Sequence, residues 1–446
     1  MTRAAAPRVT APPGRGAGPA GSPARRRTPL VALLGAQVIA TGGNVVTLVA
    51  LPLYVLAETG SASMAGVLAV VTTVPVVLGG AFGGVLVDRV GYRRSSVVSD
   101  LVGGVTIGMV PLLHVTVGLP FWALLVLVFA TGLLDTPGQG ARTALVPEAA
   151  ALAGVPLERA MGWWGAGSRS ATLLGGPVAG LLVATLGAVP ALVVNAATFA
   201  LSALVVVLGV PRALRPTVEA AAPATTVGTA AATAAGDREG YWAALRAGVA
   251  VIWRVPLLRA VVLLVMVTNA LDVARANVLV PIYADRVLGG AQALGLIVGA
   301  MGLGAFAGAL LFSAVGPRLP RRATFAWGFL LAGGPSMLVF ALQPSLVWCL
   351  VATALAGLAA GALNPIIGTV LLEEVPASMR ARVSGAVSAG AWAAMPVGAL
   401  AAGVLVEQVG LVACFVGFGV VYVLVTLVPF LPTPWRAMDR RAVGPG

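Results

Sequence analysis

From Thr28 to Pro432, long stretches with hardly a polar side chain alternate with short polar connections. Each stretch supplies the roughly twenty apolar residues needed to cross a hydrocarbon core of about 30 Å. The pattern predicts twelve spans, near 29-56, 62-87, 95-116, 120-142, 161-185, 189-210, 257-284, 291-316, 322-342, 346-371, 383-406 and 410-431. Twelve such segments make an all-α polytopic membrane protein the expected fold class.

Two regions break the pattern. Residues 1-28 are rich in Ala, Pro, Gly and Arg without apolar periodicity, the composition of a disordered tail. They do not read as an export signal, because the apolar stretch that follows runs through Tyr54, too long for a signal core. The segment 211-256 begins as a flexible linker of Ala, Thr and Pro through Gly240. Beyond it, Trp242, Leu245, Val249 and Trp253 recur at helical spacing beside Arg246 and Arg254, which predicts a short helix on the membrane surface. The linker divides the spans into bundles at 29-210 and 257-432, followed by a tail at 433-446.

The bundles match each other at an offset of about 228 residues. Leu51-Pro52-Leu53-Tyr54 corresponds to Val280-Pro281-Ile282-Tyr283, and Pro137-x-x-Gly140 to Pro365-x-x-Gly368. Gly91-Tyr92-Arg93-Arg94 aligns with Leu319-Pro320-Arg321-Arg322, and Gly180-x-Leu182 through Gly187 with Gly403-x-Leu405 through Gly410. Their common order predicts a duplicated transporter fold of two pseudo-symmetric six-helix bundles.

Composition sharpens this picture. With 59% hydrophobic and 10% charged residues, water is not the main solvent of this chain. The net charge of +13 would suggest nucleic acid in a soluble protein, but the arginines fall in the tails and in alternate connections. They therefore set orientation, with both termini cytoplasmic in an inner or plasma membrane, and no nucleic-acid partner is expected. All the basic residues are Arg, so a GxxxxGK[ST] phosphate loop is impossible and the chain has no ATPase motif of that kind. His114 stands alone, Cys349 and Cys414 sit in apolar stretches, and the fifteen acidic residues are scattered. No metal, cofactor or enzymatic constellation is expected.

Ionisable side chains inside spans are costly and therefore informative. In span four, Asp135, Gln139 and Arg142 share a face, and Arg169 in span five lies at similar depth, so an Asp135–Arg169 ion pair is expected, either structural or on a proton path. Asn269, Asp272 and Arg275 share a face of span seven near mid-membrane; Asp272 either couples transport or pairs internally with Arg275. Gln37, Thr41, Asn44 and Thr47 form the matching polar stripe in span one. Asp100, near one surface in span three, is placed to join Arg142 or Arg93 in a gate network. Met266, Met301, Phe306, Trp392 and Met395 are candidates for a soft cavity lining or plain core.

One connection carries a family resemblance. Gly84-Val85-Leu86-Val87-Asp88-Arg89-Val90-Gly91-Tyr92-Arg93-Arg94 closely resembles the loop signature between the second and third spans of the major facilitator superfamily. The resemblance extends over nearly the whole chain outside the tails and linker. Stretches at Pro137 to Pro147, Arg169 to Gly187 and Val375 to Val383 resemble the macrolide-efflux-like drug:proton antiporter branch. The resemblance implies the major facilitator fold, a gate built on the loop with a partner near Arg382, and a central cavity lined by spans one and seven. The second-half copy of the loop has Gly316 where the first has Asp88, which puts an equivalent second gate in doubt. Gly176-Pro177-Val178-Ala179-Gly180 resembles part of the antiporter motif but has Thr172 and Leu181 where that motif has glycines; it reads equally as close helix packing. The expectation is a monomeric, proton-driven exporter of small hydrophobic or amphiphilic drugs. A siderophore, another metabolite or a sugar is the alternative cargo.

Overall fold

The computed structural model describes residues 26–214, 241–376 and 379–439, without the side chains at 80–86, 88, 241–245, 317 and 381. The expectations for residues 1–25, for the linker at 215–240, for 440–446 and for the Asp88 side chain lie outside these residues, and at Gly84 only the helical backbone is described. The described residues are helical and contain no strand. Six long helices form the first half: α1 (Thr28–Thr59), α2 (Ala62–Val90), α3 (Tyr92–Thr116), α4 (Phe121–Ala153), α5 (Leu157–Leu186) and α6 (Ala188–Gly209). Six form the second: α7 (Pro256–Val287), α8 (Ala291–Val315), α9 (Arg321–Ala341), α10 (Leu346–Glu374), α11 (Arg382–Val409) and α12 (Leu411–Phe430). All twelve are long and apolar enough to cross a membrane. Their up-and-down order brings Arg26 and Asp439 to one end of the bundle, called here the terminus-bearing end.

A further helix, Tyr241–Arg254, precedes α7. It does more than lie on a surface. Its Gly248 approaches the backbone carbonyl of Arg382, so tightly that no Cβ would fit, and this packs the helix against the start of α11.

Interruptions of the helices have local causes. Within α7, residues Arg275–Leu279 form a π-turn, and the Val280 amide bonds back to the Arg275 carbonyl. Pro281 follows immediately. It has no amide to give to the Asn277 carbonyl and its ring crowds that carbonyl, so the helix widens by a residue. Gly91, at φ 92°, makes the turn between α2 and α3, a conformation that side chains with a Cβ rarely adopt.

Two seams join the halves, and glycine makes both. On α5 a Cβ at Gly176 would sit 2.5 Å from the Gly299 amide nitrogen, and one at Gly180 would sit 2.9 Å from the Gly295 Cα on α8. On α11 a Cβ at Gly403 would sit 2.9 Å from the Gly66 Cα of α2. Backbone therefore lies on backbone across both seams, gaining dispersion contact where lipid offers no hydrophobic drive. The pairs Gly180–Gly295 and Gly403–Gly66 exchange equivalent helices of the two halves.

The cores have a matching polarity. A single buried cluster, including Val49, Leu51, Ile282 and Phe415, runs through both halves toward the end away from the termini. At the terminus-bearing end there are two separate clusters, one around Leu145 and Val206 in the first half and one around Phe325 and Trp435 in the second.

Each half is also clamped. Arg93 at the start of α3 donates to the carbonyls of Val210 (2.7 Å) and Val207 (2.8 Å) at the end of α6. Arg322 at the start of α9 donates to Pro429 (3.1 Å), Phe430 (2.7 Å) and Leu431 (2.9 Å) at the end of α12. Cationic side chains suit the exposed carbonyls of a helix C-terminus. The correspondence is Arg93 with Arg322, one residue displaced from the sequence pairing of Arg93 with Arg321.

Candidate functional site

Between the halves lies a cavity of about 450 Å³, walled by α1, α2, α3 and α4 from the first half and α7 and α11 from the second. Asn44, Thr72, Thr131 and Asp135 line it on one side, and Val273, Asn277, Trp392 and Met395 on the other. Most of its lining is aliphatic or aromatic. Its threonines add less polarity than their number suggests, because Thr72 and Thr73 both donate to the Ala69 carbonyl and Thr131 donates to the Leu127 carbonyl. Such bonds within a helix use up the hydroxyl donors and leave only acceptor lone pairs for a guest.

Asp135 carries the only ionisable side chain among the described residues lining the cavity. Its Oδ2 accepts from Asn44 Nδ2 at 3.0 Å and from Gln139 Nε2 at 2.7 Å. Its Oδ1 is buried without a hydrogen-bond partner. The expected pair with Arg169 does not form: Arg169 is exposed and makes no ion pair or hydrogen bond with the described residues. Equal depth on neighbouring helices does not make two side chains meet, and Arg169 points to the exposed surface instead.

Arg142, two turns along from Asp135, belongs to a different network. Its Nη1 lies 2.7 and 2.9 Å from the two oxygens of Asp100, with both side chains fully buried. Ser202 donates to Asp100 Oδ2 at 2.7 Å, and Arg142 Nε donates to Gln37 Oε1 at 3.3 Å. Gln37 in turn donates to Thr41 at 3.2 Å. The polar stripe of α1 thus divides: Gln37 and Thr41 serve the buried ion pair, while Asn44 serves the cavity carboxylate. Of the two partners open to Asp100, Arg142 takes it, and Arg93 clamps α6.

The stripe of α7 divides as well. Asp272 is absent from the cavity lining. Its Oδ1 lies 3.9 Å from Arg275 Nε, and Tyr422 of α12 donates to its Oδ2 at 3.4 Å. Arg275 Nε is buried without a hydrogen bond. Asn269 donates to the Ala391 carbonyl of α11 at 3.0 Å. Asn277 lines the cavity instead, and it has no hydrogen bond with the described residues. The stripe of Asn269, Asp272 and Arg275 does not pick it out; Asn277 lies four residues beyond Val273, which also lines the cavity. Of the soft residues singled out in the sequence, Trp392 and Met395 line the cavity, and Met266, Met301 and Phe306 do not.

The connection after α2 faces away from the protein interior. Arg89 and Arg94 are exposed, and Gly91 makes the turn. Gly176, Pro177 and Gly180 lie on the α5–α8 seam, away from the cavity lining, and a Cβ at Gly299 would sit 2.6 Å from the Pro177 ring. At the opposite end, Glu407 of α11 accepts from Ser61 Oγ (2.6 Å) and from Ser63 N (2.9 Å) at the first turn of α2. This bond crosses between the halves.

Comparison with known proteins fits this architecture. The family description Major Facilitator Superfamily matches residues 33–290 and 262–442. The chain is 32% identical over 412 residues to the multidrug efflux pump Tap of Mycolicibacterium fortuitum, covering 91% of this chain and 96% of that one. It is 31% identical to the multidrug efflux pump Tap of Mycobacterium tuberculosis, covering 93% and 95%. Among solved structures, the nucleoside transporter NupG superposes with a TM-score of 0.68 at 14% identity over 93% of this chain and 99% of that one. A D-xylose–proton symporter gives 0.68 at 16% identity over 92% and 98%. Twelve helices in two matched halves, a cavity between them and these likenesses identify the chain as a transporter, not an enzyme, and it belongs to the major facilitator superfamily.

Proposed function

We propose that the chain is a secondary active exporter of hydrophobic or amphiphilic drugs, driven by protons and acting as a monomer in the cell membrane with both termini cytoplasmic. The observation that carries this reading is the cavity itself, an apolar space shared by both halves with one half-engaged carboxylate in its wall. Ionisable groups at such depth are rare and mark ion or substrate pathways. The relatives named as multidrug efflux pumps supply the cargo class.

In this mechanism Asp135 binds a proton at Oδ1 while Asn44 and Gln139 hold Oδ2. Neutralising the carboxylate lowers the cost of closing an apolar cavity around it, and a bound drug competes for the same volume. The seams then let the halves rock about the cavity, so that it opens on alternate sides. The end sealed by the shared core and by Glu407 is the outer one, and Gly84, Asp88, Arg89, Gly91 and Arg94 form the inner gate. Asp272 has a structural role, tying α7 to α12 through Tyr422 with the Arg275 charge beside it. The sparse set of uncommitted polar groups in the wall disfavours a sugar as cargo.

The test is dye transport in proteoliposomes with an imposed pH gradient. Asp135→Asn is expected to lose gradient-driven accumulation while retaining exchange of dye across the membrane, and Asp272→Asn is expected to retain both. Full gradient-driven accumulation by Asp135→Asn removes this residue from the proton path.

A further inference from the structure

The second half contains a groove unconnected to the central cavity. A space of about 520 Å³ between α8, α9 and α10 shares Phe312, Leu319 and Thr324 with a neighbouring space of about 470 Å³, so the two adjoin. None of its lining residues borders the central cavity. The deep part is almost wholly apolar and opens sideways, where Trp327 and Leu355 of its wall are 54% and 57% exposed. Small residues on the facing helices, Gly328 and Ala359 among them, leave the slot open. Its mouth, at the terminus-bearing end, turns polar with Arg321, Thr369 and Asp439.

Two acidic side chains at the mouth are already paired with arginines. Glu373 is engaged by both nitrogens of the Arg321 fork, and Asp439 lies 3.7 Å from Arg322. Arg318 ends the short turn Gly316–Arg318, and its near neighbours in the chain, Gly316 and Leu319, line the groove. It is exposed and has no ion pair or hydrogen bond with the described residues. A deep apolar slot that opens toward the bilayer, ending beside an uncompensated cation at the membrane surface, is complementary to an amphiphile with one anionic head and a hydrocarbon chain. We propose that this groove holds an anionic phospholipid from the leaflet at the terminus-bearing end, with an acyl chain between α8, α9 and α10 and its phosphate at Arg318. A zwitterionic lipid fits the slot equally but gains nothing net from the arginine.

Trp327 in the groove wall is a built-in reporter. The full-length chain is reconstituted in bilayers in which either phosphatidylglycerol or phosphatidylcholine carries brominated acyl chains, and quenching at Trp327 is isolated by subtracting the Trp327→Phe variant. The expected result is a preference of about fivefold for brominated phosphatidylglycerol, the magnitude that one surface arginine contributes to binding anionic lipid. Arg318→Gln is expected to remove the preference and Arg318→Lys to keep it. Native mass spectrometry of the same proteins, counting retained phosphatidylglycerol, gives a readout independent of the tryptophan. Equal quenching by the two lipids, or a preference that survives in Arg318→Gln, overturns the proposal. So does relief of quenching by a transported dye, which would make the groove a drug site.

Discussion

Two carboxylates on spans of the first half have opposite fates. Asp100 is fully engaged by Arg142 and Ser202, and neither partner of the ion pair is exposed. Removing one charge of such a pair leaves the other uncompensated in a low-dielectric interior, which typically costs about 3–5 kcal/mol. Asp100→Asn is therefore expected to unfold well below the wild type in detergent, as followed by the tryptophan signal on heating. The double variant Asp100→Leu with Arg142→Met, which removes both charges, is expected to recover most of the loss. Asp135, by contrast, keeps one oxygen without a partner. Neutralising it removes no ion pair, so Asp135→Asn is expected to melt close to the wild type even where its transport fails.

At the scale of single helices, the glycine seams determine which substitutions the bundle tolerates. Gly176→Val would drive a branched side chain into the backbone of α8, and Gly403→Val one into α2. Both are expected to abolish dye efflux in cells, whereas Gly162→Ala, with open space around it, is expected to leave efflux unchanged. The seams also mark how far the sequence could be read. Hydropathy and the internal match gave the number and order of the helices because both rest on patterns many residues long. The matched glycines Gly180 and Gly403 even name helices that turn out to be equivalent. Single-residue geometry was harder to read. The clamps pair Arg93 with Arg322 where the alignment paired Arg93 with Arg321, because a gap of one residue in a loop leaves the hydrophobic pattern intact. The polar face of α7 seen in the sequence is not the one at the cavity: Asn269 and Asp272 bond to α11 and α12, and Val273 and Asn277 line the cavity instead. Arg169 shows a third limit, since depth along a helix says nothing about the direction in which a side chain points.

On the scale of the whole molecule, the end away from the termini is held shut by an apolar core common to both halves and by the hydrogen bonds that Glu407 accepts from Ser61 and Ser63 at the start of α2. The carboxylate there also complements the unpaired amides of a helix N-terminus. Glu407→Gln is expected to shift the population toward a state open at that end. Spin labels at Val117 and Leu342, both highly exposed in connections at that end and one in each half, give the measurement. Double electron–electron resonance should record longer distances in the variant, and an unchanged distribution would show that the core alone keeps the end closed.

The arginine clamps also bear on how the chain is made. Arg93 is synthesised 114 residues before the Val207 carbonyl it binds, and Arg322 107 residues before that of Pro429. Until the last helix of its half is inserted, each guanidinium has only headgroups and water as partners. Closing the clamp thus reports that six helices are in place, and each half carries its own completion check. A chain interrupted before α6 or before α12 would leave an arginine unengaged at the membrane surface, so quality control would have a local feature by which to recognise an unfinished half.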